Sequence, residues 1–230
     1  MPGSPEVAGA GPVPGQGAAG LQHPRFARAF ARAVGGMNRR GADAHRRSML
    51  AGLHGRIVEI GAGEGSTFGL YPATVTGVLA LEPDDYLRSL ALAKIAAASV
   101  PVTVHPGSAE SIPSPDGSAD GVVVSLVLCS VAHPAAALAE IRRVLRPGGT
   151  LAFYEHVRSG HGAFAAAEDL LSPAWQRIAG GCHPNRDTLQ AISDAGFEIE
   201  ECQRFGFSVH PLVPPVAHIL GRAVSPGRKR

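Results

Sequence analysis

The sequence predicts an α/β fold: a doubly wound, largely parallel sheet of about seven strands, the last of them antiparallel, with helices placed before the first strand. Three observations predict it. Short β-rich segments, apolar nearly throughout, recur along the chain, as strands covered on both faces must be. Segments with apolar residues at helical spacing lie between them, giving a repeated strand–helix–strand unit. The first apolar segment also runs directly into a turn of closely spaced glycines.

Taken in order, residues 1–22 are dominated by Gly, Pro and Ala, a composition that buries no face, and read as a flexible lead-in. From Pro24 to Leu53 two helical patterns follow one another, with Phe26, Phe30 and Val34 on one face and Leu50 and Leu53 after a Gly-Gly break. Strands are expected over Arg56–Ile60, Val75–Leu81, Val102–His105, Gly121–Leu126 and Thr150–Glu155, and helices over Asp84–Ala98 and Pro134–Leu145. Arg146, Pro147, Gly148 and Gly149 read as the turn ending a helix ahead of a strand. Phe197–Cys202 and Val216–Ala223 supply two further strands, the last on the sheet edge. The domain therefore runs over residues 23–224, and residues 225–230 read as a solvated basic tail.

At 230 residues, 45% hydrophobic and 17% charged, the chain suits one packed domain. A net charge of +2 gives no reason to expect nucleic acid as a partner, and no apolar run approaches the roughly 18 residues of a spanning helix. Neither a basic start nor an apolar stretch opens the chain, so a soluble, cytoplasmic protein is expected, with no membrane partner. Cys129, Cys182 and Cys202 are sparse, odd in number and without a CxxC pair, which argues against disulfides and against a cysteine-based metal site. The basic run Arg39, Arg40, His45, Arg46 and Arg47 reads first as a solvated helix face.

The chemistry is concentrated in Val58, Glu59, Ile60, Gly61, Ala62, Gly63, Glu64, Gly65. Gly61 permits the tight turn, and Gly63 and Gly65 remove side chains where a ligand must lie against backbone. An acid, Glu82, followed by Pro83, stands at the end of the next strand, where a ribose-binding carboxylate belongs. The dinucleotide fingerprint requires its third glycine at position 66, which is Ser66; here it falls at Gly65, a spacing that favours S-adenosylmethionine over NAD.

With VEIGAGEG, LALEPDDYLR, SAESIPSPDGSADGVVVSLVLCSV and EIRRVLRPGGTLAFYEHV, the chain resembles the class I, Rossmann-like methyltransferases from about Phe26 to Val224. The resemblance implies that Glu59 lies near the methionine amino group, that Gly61, Ala62 and Gly63 pass beneath the cofactor, that Glu82 binds both ribose hydroxyls, and that Ala109 with Glu110 flanks the adenine. Ser108 stands where an Asp is commoner; its hydroxyl also accepts a hydrogen bond.

On such sheets ligands bind outside the carboxyl ends of the strands. That ranks Ser125, Leu126, Ser130, Glu155, His156 and the later segment with Cys182 and His183 as site candidates. His156 is the candidate catalytic base or orienting group, with a bonded loop histidine as the plain alternative. Glu155 either holds His156 or ends its strand. Cys182, His183, Phe26 and Phe30 are candidates for the acceptor pocket, Phe26 and Phe30 as a lid or as ordinary helix packing. Cys129 and Cys202 read as core.

EHV, Trp175, GCHPNRDTL and AGF are similar to the alkyl-thiol methyltransferases and their bacterial relatives, with the quinone C-methyltransferases more distant. The resemblance implies methyl transfer to a small molecule, a thiol among the options; O-, N- or C-methylation, and cofactor binding without transfer, stay open.

Overall fold

The computed structural model describes residues 18–208 and 214–227. The lead-in up to residue 17 and the last three basic residues lie outside them. A short 3-10 helix, Ala18–Leu21, opens the described chain, and the Gln22 side chain donates to Pro83 O at 2.7 Å and accepts from Asp85 N at 3.1 Å. Helices α1 (Pro24–Met37) and α2 (Asp43–Leu50) follow, joined through a wide turn in which Gly41 takes φ 120°. Arg39, Arg40 and Arg47 are exposed as expected, whereas Arg46 is buried, its guanidinium turned inward to Asn38 Oδ1 at 2.6 Å.

Strands β1 (Gly55–Ile60), β2 (Val75–Leu81), β3 (Val102–His105), β4 (Ala119–Ser125) and β5 (Leu145–His156) pair in parallel, and β7 (Val216–Val224) pairs antiparallel with both β5 and β6 (Glu198–Phe207). The order is β3-β2-β1-β4-β5-β7-β6. β7 is thus antiparallel as expected but interior, not at the edge. Composition explains the exchange: β7 is apolar and buried over HILG, while β6 reads EIEECQR and is exposed along most of its length, so the polar strand takes the solvated edge. Cys202 sits on that edge strand and is exposed, which corrects its assignment to the core.

The helices between the strands have local causes. Asp84 caps α3 (Asp85–Lys94), its carboxylate accepting from Tyr86 N and Leu87 N at 3.0 and 3.1 Å. Pro134 starts α4 (Pro134–Val144), which buries Ala137, Leu138, Ile141 and Val144 on one stripe. The Arg146–Gly149 turn survives as a kink near the start of β5, with Gly148 at φ 75°. Helix α5 (Gly162–Ile178) was not foreseen: it carries Pro173 inside and leaves Phe164, Leu170, Leu171 and Ile178 exposed, so no buried stripe marks it. Asp187 caps α6 (Thr188–Asp194) through Gln190 N at 3.0 Å.

Strand alternation sends Val58, Ile60, Val122, Val124, Leu151 and Phe153 to one core with α4, and Ile57, Val123, Ala152 and Tyr154 to the other with α2. Position 59 therefore faces Phe68 and Tyr71, and position 156 falls on the same face as Tyr154. No helix among the described residues is long and apolar enough to cross a membrane.

Candidate functional site

The carboxyl ends of β1, β2, β4 and β5 meet at one end of the sheet, and the glycine turn lies there. Gly61, Gly63 and Gly65 have φ of 67°, 59° and 80°, the left-handed region that side chains disfavour. The three serve different ends. A Cβ on Gly61 would stand 2.5 Å from Val127 Cγ2, so Gly61 lets the turn pass the loop after β4. A Cβ on Gly65 would meet the Phe68 ring at 2.8 Å and Ala91 Cα at 3.3 Å, so the space a side chain would take there is filled by protein and not left open for a ligand. At Gly63 the nearest atom is Phe30 Cε1 at 3.6 Å, which leaves an open cradle. Ala62 is buried between them.

Glu82 closes this cradle. Its Oε2 accepts from Gly63 N at 2.8 Å and its Oε1 from Asp84 N at 2.9 Å, leaving a further lone pair on each oxygen. Burial pushes its carboxyl up to about 7, against the pull of the two amides. Pro83 turns its carbonyl to Gln22. Across β3, Gly107 packs on Leu81 beside the end of β2, and Ser108 forms a bridge with Ser111 while Ala109 is buried and Glu110 half-buried.

Glu59 is buried with both oxygens occupied, by Thr67 Oγ1 at 2.7 and 2.9 Å and by Tyr71 Oη at 2.9 Å. Burial raises it to about 7 although both hydroxyls oppose the shift.

The loop after β4 builds the other half of this sheet end. Ser125 ends that strand half-buried, and Leu126 holds φ 60°, alone among the described non-glycine residues in the left-handed region. Such strain persists only where neighbours fix it. The fixing group is Glu155, fully buried, whose oxygens accept from Val127 N, Leu128 N and Cys129 N at 2.9, 3.0 and 3.0 Å. Burial raises its carboxyl and the three amides pull against it. Glu155 thus holds the loop, not His156, a role invisible in sequence because the partners are backbone amides 26 to 28 residues away.

The segment Gly180–Arg186 docks on the same loop. His183 N donates to Cys129 O at 2.7 Å, and Arg186 Nη1 reaches Leu128 O at 2.5 Å and Val131 O at 2.9 Å. This brings Cys182 to His156, Sγ to Nδ1 3.1 Å, and to Cys129, sulfur to sulfur 3.7 Å; Cys129 Sγ is 3.9 Å from His156 Nδ1 and 3.6 Å from Ser130 Oγ. Sharing its proton with Cys129 and then facing His156 holds the Cys182 thiol below the ordinary range, while the same sharing and burial push Cys129 up. The His156 ring packs on His218 at 4.4 Å; His218 donates from Nδ1 to Val216 O at 2.8 Å, and burial drives its imidazole down to about 3. The His183 Nδ1 is buried without a partner among the described residues.

Helix α1 roofs both halves. Phe26 and Phe30 stack at 5.8 Å; Phe26 lies against Gly180, where a Cβ would be 2.8 Å from its ring, and Phe30 faces Gly63. A cavity of about 860 Å³ lies between Asp116, Pro134, Arg142, Leu145 and Ser225 at the opposite end of the sheet, away from the residues of this site.

A family model described as a methyltransferase domain matches residues 58–153. The human thiol S-methyltransferase TMT1B is 36% identical over 185 residues, 76% of this chain and 73% of the relative. The human thiol S-methyltransferase TMT1A is 33% identical over 182 residues, with the same shares of 76% and 73%. Among solved structures, a putative methyltransferase from Bacillus halodurans superposes with a TM-score of 0.67 at 18% identity, over 81% of this chain and 99% of its own.

Proposed function

This chain belongs to the class I S-adenosylmethionine-dependent methyltransferases, and from that premise we propose that it moves the methyl group to the sulfur of a small thiol. The cradle fits the cofactor: Gly63 leaves its backbone bare, and Glu82 keeps a free lone pair on each oxygen for two ribose hydroxyls. Gly61, Ala62 and Gly63 would pass beneath it, with Pro83 and the Ser108, Ala109 and Glu110 segment at the adenine. The cofactor supplies an already activated methyl, so the protein has mainly to align the acceptor and exclude water.

One observation carries the thiol reading: Glu59 and Glu155, near the ends of β1 and β5, are both committed and Glu82 is given to the ribose, leaving sulfur, imidazole, hydroxyl and apolar groups but no carboxylate to face an acceptor. Phenols, alcohols and protonated amines require a base to shed a proton, whereas a thiol of pKa about 8.5 ionises with little help. With its Nδ1 turned to two sulfurs, His156 serves to position Cys129 and Cys182 more than as a free base. Phe26 and Phe30 close the pocket as a lid, with Ser125, Leu126, Ser130 and His183 on its wall. The thiol S-methyltransferases matched over three-quarters of the chain support the same acceptor.

The test is a panel of thiols, phenols, amines and quinols with labelled cofactor and product identification by mass spectrometry. Thioethers are expected; a protein inert towards every thiol but active on a phenol removes the reading.

A further inference from the structure

Cys129, His156 and Cys182 come from three separate segments, and each is fixed by its backbone. Cys129 N is held by Glu155 and Cys129 O by His183 N. His156 is paired with His218 in the β5–β7 ladder, and Cys182 N donates to Ala179 O at 3.1 Å. Their ligand atoms lie within 4.8 Å of one another. With Zn–S of about 2.3 Å and Zn–N of about 2.0–2.1 Å, a tetrahedral ion spaces its sulfurs about 3.8 Å apart and each sulfur about 3.6 Å from the nitrogen. The structure has 3.7 Å between the sulfurs, and 3.1 and 3.9 Å from them to His156 Nδ1. Movements of a few tenths of an ångström bring all three donors onto one ion.

We propose that Cys129 Sγ, Cys182 Sγ and His156 Nδ1 form a zinc site with an open fourth position that takes the sulfur of the acceptor thiol. Two thiolates and an imidazole are a soft set suited to zinc, and three protein ligands with one vacancy is the pattern of catalytic zinc sites. Of the three ligands, Cys129 and Cys182 are buried and His156 is half-buried, so the imidazole side is the one nearest solvent. The site also shares a roof with the cofactor cradle, since Phe26 lies on Gly180, two residues before Cys182, and Phe30 on Gly63.

Resting on the thiol reading above, the step balances as follows. The acceptor thiol gives its proton to solvent on binding the ion. Its sulfur then bonds to the methyl carbon as the bond from that carbon to the sulfonium sulfur breaks, leaving a thioether and S-adenosylhomocysteine. The thioether, neutral and a poor ligand, departs.

The full chain, purified reduced from zinc-supplemented cells, is assayed for metal by mass spectrometry and titrated with cobalt(II). The expected result is roughly one zinc per chain and a tetrahedral cobalt–thiolate spectrum. C182S and the C129S/C182S pair lose both signals, and C202S, on the exposed edge strand, keeps them. Stripping zinc lowers thiol methylation at least roughly tenfold and zinc restores it. Less than about 0.1 zinc per chain with no thiolate band from cobalt in the folded wild type overturns the site, whatever the variants do. So does a cluster that only forms a Cys129–Cys182 disulfide on oxidation and takes up no metal when reduced. Metal-free protein that methylates thiols at full rate removes the zinc and leaves the thiol reading intact. Stoichiometric zinc with no product from any thiol overturns the role given to the open position and refutes the thiol reading separately.

Discussion

Lowering the pH from 8 to 6 should weaken binding of S-adenosylhomocysteine about tenfold, and Glu82 should be the cause. Burial pushes this carboxyl up to about 7 in the free protein. Only its ionised form offers both oxygens to ribose hydroxyls, since Gly63 N and Asp84 N already take one lone pair on each. A group titrating near 7 is ionised to roughly nine-tenths at pH 8 and roughly one-tenth at pH 6, a tenfold ratio, or about 1.4 kcal/mol. The sign is fixed: the cofactor stabilises the charged form, so affinity falls as the group protonates. Near pH 7 binding should release about half a proton, seen in calorimetry as a heat that varies with the ionisation enthalpy of the buffer. Glu82→Gln should bind more weakly at pH 8 and lose the pH dependence between 6 and 8; Glu82→Ala should cost about 1.5–3 kcal/mol for each charged hydrogen bond lost. A wild-type affinity flat across that range, or a Glu82→Gln protein with the wild-type slope, refutes the reasoning.

Glu59 should act on stability. Its carboxyl, raised from 4.5 to about 7, contributes stability that is full below 4.5 and lost as pH rises through about 7, so Glu59→Gln should gain on wild type by about 3 kcal/mol between pH 4 and 8 in urea unfolding; a difference that does not change with pH contradicts this. Gly61→Ala should destabilise by about 1–3 kcal/mol, because φ 67° and Val127 both oppose a Cβ, and adding Val127→Ala should recover part of the loss; thermal unfolding of the two variants decides. Asp84→Ala should cost about 1–2 kcal/mol, since the carboxylate caps α3 and also accepts from His23 N at 3.1 Å. An unchanged midpoint in that variant contradicts the cap.

Local chemistry determined much of this protein from the sequence alone. Apolar runs announced β1 to β5, and the run VEIGAGEG with Glu82 at the next strand end marked the glycine turn that Glu82 closes, because a strand, a left-handed turn and a carboxylate depend on neighbours close in the chain. Asp84 and Pro134 likewise announced helix starts. What required partners from afar was decided only by the tertiary structure. The interior place of β7 follows from competition between two strands for one edge, a comparison no local window makes. Gly65 reads like Gly63, yet Phe68 and Ala91 fill its space. Glu155 reads as the end of a strand and is the clamp on a loop more than 25 residues earlier. Cys129, His156 and Cys182, single residues without a spacing to mark them, become a cluster because β4, β5 and the segment after α5 converge at the carboxyl end of one sheet.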